Sequence, residues 1–171
     1  MFVKGDKVIC GSKGVCSVED ITTLNISGVD KEREYYILKP VYMIASTVYV
    51  PVDNEAASLR KVLTKEEAKE LLERISQIPL LAVTNEKFLE QEYKNCLRTE
   101  SCEEWIRIIK TIWLRMQKRK DAGRKVTAVD SRYYKIAQDC VYGELAVALS
   151  MSRESVEEYI GDLLDKQICI S

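Results

Sequence analysis

Residues 4–21, KGDKVICGSKGVCSVEDI, decide how the first third of this 171-residue chain is interpreted. Cys10 and Cys16 stand six positions apart on either side of the sequence GSKG. The spacing fits three interpretations: half of a metal site, a redox pair, or a tight turn between two strands. Gly11 and Gly14 permit the positive φ angles that a tight hairpin needs. The turn is the simplest interpretation, and it predicts that the two cysteines lie on neighbouring strands.

The cysteines and the absence of histidine limit the chemistry that the chain can perform. Without imidazole there is no Ser/His/Asp relay, no Cys/His nucleophile pair and no mixed Cys/His zinc site. A zinc site assembled from four of the cysteines is an open alternative, although two five-residue gaps exceed the usual ligand spacing; its members would be Cys10, Cys16, Cys96 and Cys102. The other alternative is that the cysteines behave as small buried hydrophobic residues. An enzyme or metalloprotein is therefore the least favoured class, and we expect no catalytic residue, no metal and no cofactor.

The segment from Val8 to Val52 has the pattern of short β-strands. Four stretches rich in β-branched and aromatic residues are separated by turn residues: KVIC, GVCSVEDI, REYYILKPV and STVYVPV. Four or five antiparallel strands within residues 1–60 predict a small, curved barrel of the Tudor or SH3-like kind. Such a sheet leaves an edge that can accept a strand from another protein.

After this segment the apolar residues repeat with helical spacing. Thr64 and Glu67 form the pattern of a capping box, which predicts the first helix. A second helix is predicted to begin at Thr84 or Asn85 and to end near Arg98. Residues 61–171 therefore read as an all-α helical bundle, and the whole chain as an α+β protein.

The third predicted helix has the clearest periodicity. Ser101 and Glu104 form a second capping-box pattern, and Gly123 marks the end of the helix. Apolar side chains recur between them at steps of three and four residues, and both tryptophans belong to this predicted core stripe: Trp105, Ile108, Ile109, Ile112, Trp113 and Met116. A fourth helix is predicted to begin at Thr127, and a fifth lies in SRESVEEYIGDLL.

Charge is distributed unevenly along the chain. Although the net charge is −1, residues 105–135 contain ten basic and two acidic side chains. A block this basic indicates an anionic partner, or else a solvated face paired with acidic neighbours. The chain has neither a long apolar run nor an apolar N-terminal stretch, so we expect no membrane association and a cytoplasmic location.

Seven short motifs, in this order and spacing, give the chain a resemblance to a known family. They are FxxGDKV at 2–8, GVxxVExI at 14–21, YYILKP at 35–40, VYVPVDN at 48–54, EYKNCL at 92–97, IWLRMQKR at 112–119 and GELA at 143–146. Together they resemble the CarD/CdnL family of bacterial transcription regulators. The N-terminal module of that family is an RNA polymerase interaction domain, which is shared with the transcription-repair coupling factor.

The resemblance implies a function for each half. Residues 1–60 would pair edge to edge with the RNA polymerase β subunit, and residues 61–171 would contact promoter DNA at its minor groove and phosphates. The implied activity is stabilisation of the open promoter complex, without catalysis, in the cytoplasm and at the nucleoid. The alternative is a protein-interaction module that binds RNA polymerase without functional DNA contact. The oligomeric state and the regulated promoters are not implied.

The resemblance also implies site residues. The polymerase-contacting edge corresponds to Ser46, Thr47, Val48, Tyr49 and Val50, with Leu24 as a further contact. Relatives commonly carry arginine at the positions of Tyr49 and Leu24, both of which are uncharged here.

For DNA, the family's minor-groove tryptophan corresponds to Leu89, with Phe88 beside it. Leucine and phenylalanine both occur as minor-groove wedges, and the alternative is that Leu89 packs inside the bundle. Lys94 corresponds to a basic position of the family next to this tryptophan, and the basic block adds further candidate phosphate contacts: Lys118, Arg119, Lys120, Arg124, Lys125 and Arg132. These cations follow the phosphates only if they share a surface with the wedge.

Overall fold

The computed structural model describes residues 1–43, 45–54 and 59–168, of which residues 167 and 168 are described by their backbone alone. Cys169 lies outside the described residues. The chain divides into two compact units, Met1–Val62 and Leu63–Ser171. We call them the β unit and the helical unit.

Five antiparallel strands form the β unit. They are β1 (Lys7–Cys10), β2 (Val15–Thr23), β3 (Glu34–Pro40), β4 (Val48–Pro51) and β5 (Leu59–Lys61). The strand order is β4-β3-β2-β1-β5, so β4 and β5 are the two edges. The predicted antiparallel sheet is confirmed. Closure into a barrel is not, because β4 and β5 do not pair within the described residues.

The GSKG sequence forms the predicted turn between β1 and β2. Gly11–Lys13 is a single 3-10 turn, and the Cys10 N–H donates to the Gly14 carbonyl oxygen at 3.0 Å. Gly14 has a φ of +69°, a conformation that side-chain-bearing residues rarely adopt. The placement of Cys10 and Cys16 on the flanking strands is confirmed.

The main buried cluster of the β unit lies on one face of this sheet, and the buried Ile9 and Val15 lie on the other. Along β3, Tyr36, Leu38 and Pro40 are buried while the alternate residue Lys39 is exposed, as the two-residue period of a strand requires. The buried cluster consists of Val8, Cys16, Val18, Tyr36, Leu38 and Val50. Burial of one face fixes the register of β4, because a shift by one residue would expose Val50.

The helical unit contains five α-helices. They are α1 (Lys65–Glu73), α2 (Leu89–Arg98), α3 (Cys102–Asp121), α4 (Ala128–Leu149) and α5 (Arg153–Ile168). The capping box at Thr64 is confirmed, because its hydroxyl accepts from the Glu67 N–H at 3.2 Å and Glu67 accepts from the Thr64 N–H at 2.8 Å. Thr127 caps α4 as predicted.

Two helix starts differ from the prediction. The second capping box is wrong: Ser101 makes no side-chain cap, and its N–H donates to Thr99 Oγ1 at 3.3 Å, whereas the Glu104 carboxylate binds the Arg107 guanidinium at 3.0 Å. The helix predicted from Asn85 begins instead as a 3-10 turn, Glu86–Phe88, and becomes α-helical at Leu89.

α3 packs on α2 and α4, and α4 contacts each of the other helices of its unit. Trp105, Ile108 and Ile112 are completely buried, which confirms the predicted stripe, whereas Trp113 is half-buried. Among the described helices, none has both the length and the apolar composition needed to cross a membrane.

Candidate functional site

The outer edge of β4 presents backbone groups to solvent. Val52 donates its N–H to the Glu34 carbonyl oxygen at 3.0 Å, and Tyr49 lies opposite Ile37 of β3. Backbone groups alternate in direction along an antiparallel strand, so the N–H and C=O of Tyr49 point away from β3. No strand in the described part of the chain pairs with that side of β4. The edge can therefore accept an added strand.

The side chains of β4 alternate between core and solvent. Val50 is buried in the core, Val48 is half-buried, and Thr47, just before the strand, is exposed. Tyr49 is 48% exposed. Four of the predicted polymerase contacts thus lie along one edge, and Tyr49 offers both a backbone donor and an aromatic ring there.

Two further predicted contacts lie elsewhere in the β unit. The Ser46 hydroxyl is buried and has no hydrogen-bond partner among the described residues. Leu24 directly follows β2 and is half-buried. Because β3 separates β2 from β4, the structure does not bring Leu24 to the β4 edge.

Pro51 also lies on the outward side of β4. It lacks an N–H, so it removes one donor from the edge that an added strand could use.

An apolar recess of about 330 Å³ lies beside this edge. Val50 of β4 and Leu59 of β5 both line it, together with Phe2 and Tyr36. The Phe2 N–H donates to the Tyr36 hydroxyl at 3.2 Å, and the two rings meet edge to face at 5.8 Å. Residues from both sheet edges thus surround the place at which a closed barrel would join them.

The described cysteines form no candidate metal centre. Cys10 and Cys16 belong to the β unit, whereas Cys96 and Cys102 belong to the helical unit. No group of three or more Cys, Asp or Glu side chains among the described residues is placed to hold a metal ion. A hydrogen bond with Cys10 and burial raise the pKa of the Cys16 thiol, so this thiol stays protonated.

Arg115 of α3 joins the starts of α2 and α4. Its guanidinium donates to Asp130 Oδ2 at 3.1 Å and to both carboxylate oxygens of Glu86 at 2.8 and 3.1 Å. The fully buried Asp130 also accepts from the Tyr93 hydroxyl at 2.8 Å. The hydrogen bond from Arg115 lowers the pKa of Glu86. The three helices are therefore held together at one end of the unit.

Glu90, in the first turn of α2, contacts a second group of polar side chains at the same end of the helical unit. Its Oε1 atom accepts from the Tyr133 hydroxyl at 2.9 Å and from the Arg132 guanidinium, and it lies 3.5 Å from Lys94 Nζ. The Arg132 guanidinium also stacks over the Tyr133 ring, 5.0 Å from its centroid. The hydrogen bond from Tyr133, followed by the nearby cations, lowers the pKa of Glu90.

The two wedge candidates have opposite environments. Leu89 is 4% exposed and packs inside the helical unit, whereas Phe88 is 62% exposed. The assignment of Leu89 to the DNA-binding residues is therefore corrected: Leu89 lies on the same face of α2 as the buried Tyr93 and Cys96, four and seven residues later. Phe88 lies between Glu86 and Glu90 in the chain, so it shares this end of the unit with Arg115 and Arg132.

The remaining basic residues surround the turn between α3 and α4. The Arg119 guanidinium donates to the Lys125 carbonyl oxygen at 2.7 Å, and its charge lowers the pKa of Glu86. The side chains of Lys118, Lys120, Arg124 and Lys125 are exposed and form no ion pair within the described residues. The structure thus places Phe88, Lys94, Arg119 and Arg132 around one end of the helical unit. We call this group, with the α3–α4 turn, the basic end.

Sequence reasoning missed the acidic members of this arrangement. Glu86, Glu90 and Asp130 look like ordinary residues of helix first turns, and Arg115 looks like one more cation of the basic block. A usable signal was present in the sequence. Glu86 and Glu90 lie on either side of Phe88, and their spacing of four residues places two side chains on one helical face. Their basic partners are far away in sequence, which periodicity does not reveal.

The family model described as the CarD-like/TRCF RID domain matches residues 2–63. The matched range contains all five strands and ends where the helical unit begins.

Proposed function

Because residues 2–63 are a CarD-like/TRCF RID domain, a domain type that interacts with RNA polymerase, we propose that this protein is a transcription regulator with two contacts. The β unit adds its β4 edge to a strand of the polymerase β subunit. The helical unit contacts promoter DNA through the basic end and stabilises the open complex. The activity consists of binding alone and takes place in the cytoplasm, at the nucleoid.

The outward-facing backbone groups of β4 support the proposed contact with the polymerase β subunit. Main-chain hydrogen bonds give affinity with few side-chain requirements, so the uncharged Tyr49 and Leu24 do not prevent docking. Since Pro51 has no N–H, the outward donors nearest to it are those of Tyr49 and Thr47. An added strand therefore depends on the Tyr49 N–H.

A pair of proline substitutions tests this contact with the isolated polymerase β lobe. Tyr49→Pro removes an outward N–H and leaves the β3–β4 hydrogen bonds in place, so we expect binding to fall at least tenfold. Lys61→Pro makes the same change on the outward side of the other edge, β5, and should leave binding unchanged. Tyr49→Thr keeps the N–H and should retain most of the affinity. Equal binding by Tyr49→Pro and Lys61→Pro would contradict edge pairing.

The exposed Phe88 supports the second contact. An apolar side chain beside several cations is the arrangement that minor-groove proteins use to hold an unstacked base step. Cations at Lys118, Lys120, Arg124 and Lys125 would bind phosphates on either side. A protein that binds melted DNA more tightly than duplex DNA raises the melted population by mass action.

Salt-dependent binding of the full chain to a promoter fragment tests the DNA contact. Each phosphate contact adds about −0.9 to the slope of log affinity against log salt. Phe88→Ala should weaken binding to a fragment with a melted segment more than binding to the duplex. Tyr159→Ala removes an exposed aromatic ring from a different helix, α5, and should change binding to neither the melted fragment nor the duplex.

The second candidate function is a polymerase-binding module without DNA contact. The ion pairs of Glu90 with Lys94 and Arg132 favour it, because paired cations attract phosphates less. Under this alternative the full chain binds the β lobe but shows no salt-dependent affinity for the promoter fragment.

A further inference from the structure

A carboxylate of the basic end, that of Glu90, is paired with two of its cations. Lys94 Nζ lies 3.5 Å from Glu90 Oε1, and the Arg132 guanidinium donates to the same oxygen. A DNA phosphate offers these two cations the same kind of acceptor. Glu90 is also two residues from the exposed Phe88, so it lies beside the proposed wedge.

Glu90 remains charged under all conditions in which the protein would bind DNA. The hydrogen bond from Tyr133 lowers the pKa of Glu90, and nearby Lys94 and Arg132 act in the same direction. Its charge therefore repels phosphate while it neutralises the two cations.

We propose that Glu90 is an autoinhibitory residue of the DNA contact, which occupies Lys94 and Arg132 and so limits the affinity of the helical unit for DNA. This inference rests on the proposed DNA contact. When DNA binds, phosphates compete with Glu90 for the two cations. Arg132 stays on the same surface when it leaves Glu90, because its guanidinium also stacks over the Tyr133 ring at 5.0 Å.

Glu90→Gln tests the proposal because it removes the charge and keeps an oxygen that accepts from Tyr133. We expect affinity for a labelled promoter duplex to rise about threefold to tenfold at low salt, as two surface ion pairs are removed. The salt slope should also become steeper, by about 0.9 for each freed cation that engages a phosphate. A purely structural role for Glu90 would not change that slope.

Glu92→Gln is the matched control. It makes the same charge change in the same helix, but residues 90 and 92 are about 200° apart around the helix axis. Lys94 and Arg132 are paired with Glu90 and not with Glu92, so the control substitution frees neither cation. Affinity and slope should therefore stay close to those of the wild-type chain.

The outcomes separate this inference from the function on which it rests. If the wild-type chain binds the duplex with a clear salt slope and Glu90→Gln behaves like Glu92→Gln, autoinhibition is refuted and the DNA contact stands. If neither the wild-type chain nor Glu90→Gln binds in a salt-dependent way, both are refuted. If the salt slope becomes steeper for Glu90→Gln but not for Glu92→Gln, the result supports both the DNA contact and its autoinhibition by Glu90.

Discussion

Arg115→Met is the most informative test of the basic end. The substitution keeps most of the apolar length of the side chain and removes the guanidinium that binds Glu86 and Asp130. Asp130 is fully buried, so its carboxylate would keep the Tyr93 hydroxyl as a donor and lose its cation.

The structure sets the size of the effect. Removing one partner of a buried ion pair costs about 3–5 kcal/mol. Because the Arg115 side chain is 19% exposed and Tyr93 still donates to Asp130, we expect the lower end, about 3 kcal/mol of unfolding free energy. Asp130→Asn should cost less, about 1–2 kcal/mol, since Glu86 still binds Arg115 through two oxygens.

Urea unfolding monitored by tryptophan fluorescence measures this difference. Both tryptophans of the chain, Trp105 and Trp113, lie in α3, so the signal reports the helical unit even if the β unit unfolds separately. Arg74→Met is the matched control: its 2.7 Å ion pair with Glu103 is at the surface, and its removal should cost less than about 1 kcal/mol. An Arg115→Met cost no larger than that of the control would refute the assigned role.

The same pair predicts an acid-sensitive component of stability. Arg115 lowers the pKa of Glu86 in the folded protein, below its value of about 4.3 in an unfolded chain. The contribution is therefore present above about pH 4.3 and is lost as the pH falls through the folded-state pKa. As the pH falls below about 4.3, the unfolding free energy of the wild-type chain should decrease more than that of Arg115→Met. Parallel decreases of unfolding free energy in the two chains would contradict the pairing.

Three further predictions concern other parts of the helical unit. Lys110→Met should cost about 2–3 kcal/mol in the same urea assay, because the buried ammonium donates to three backbone carbonyl oxygens at 2.6–3.3 Å. Thr64→Ala should cost about 1 kcal/mol through loss of the helix cap, and Thr64→Ser should restore most of it. Burial and a hydrogen bond with Glu104 raise the pKa of Cys96 from 9.0 to about 12, so stability should be full below pH 9 and decline from there to pH 12. If the stability of Cys96→Ala decreases by the same amount between pH 9 and pH 12, another titrating group causes the loss.

Local features of the fold could be predicted from the sequence because their causes are local. The hairpin at Gly11–Lys13 depends on glycines at defined positions, and the cap at Thr64 depends on a residue three positions later. The cap at Ser101 failed for a reason that is also physical. The Glu104 carboxylate binds Arg107 and the Ser101 N–H donates to Thr99 Oγ1, so the two halves of the box have other partners. Closure of the barrel depends on the meeting of β4 and β5, which no local pattern encodes.

The wedge position was predicted less well because it was taken from the family resemblance, whereas the helical period of α2 places Leu89 on the same face as the buried Tyr93 and Cys96. The 3-10 turn at Glu86–Phe88 leaves Phe88 exposed just before that helix. The basic residues were found from composition alone, since ten cations in residues 105–135 stand out in an acidic chain. Their neutralisation by Glu86 and Glu90 required the packing of α2 against α3 and α4.

On the proposed function, weak DNA contact and polymerase docking are consistent with each other. A chain bound through its β unit presents its helical unit to promoter DNA at an effective concentration of the order of 1 mM. Non-specific DNA binding has dissociation constants of about 10⁻⁴ to 10⁻⁶ M, so the tethered unit would be largely bound even with Lys94 and Arg132 partly occupied by Glu90. The free protein would meanwhile bind non-promoter DNA poorly. Glu90→Gln should therefore increase binding by the free chain more than it increases open-complex lifetime on polymerase, and the opposite order would show that tethering does not supply the missing affinity.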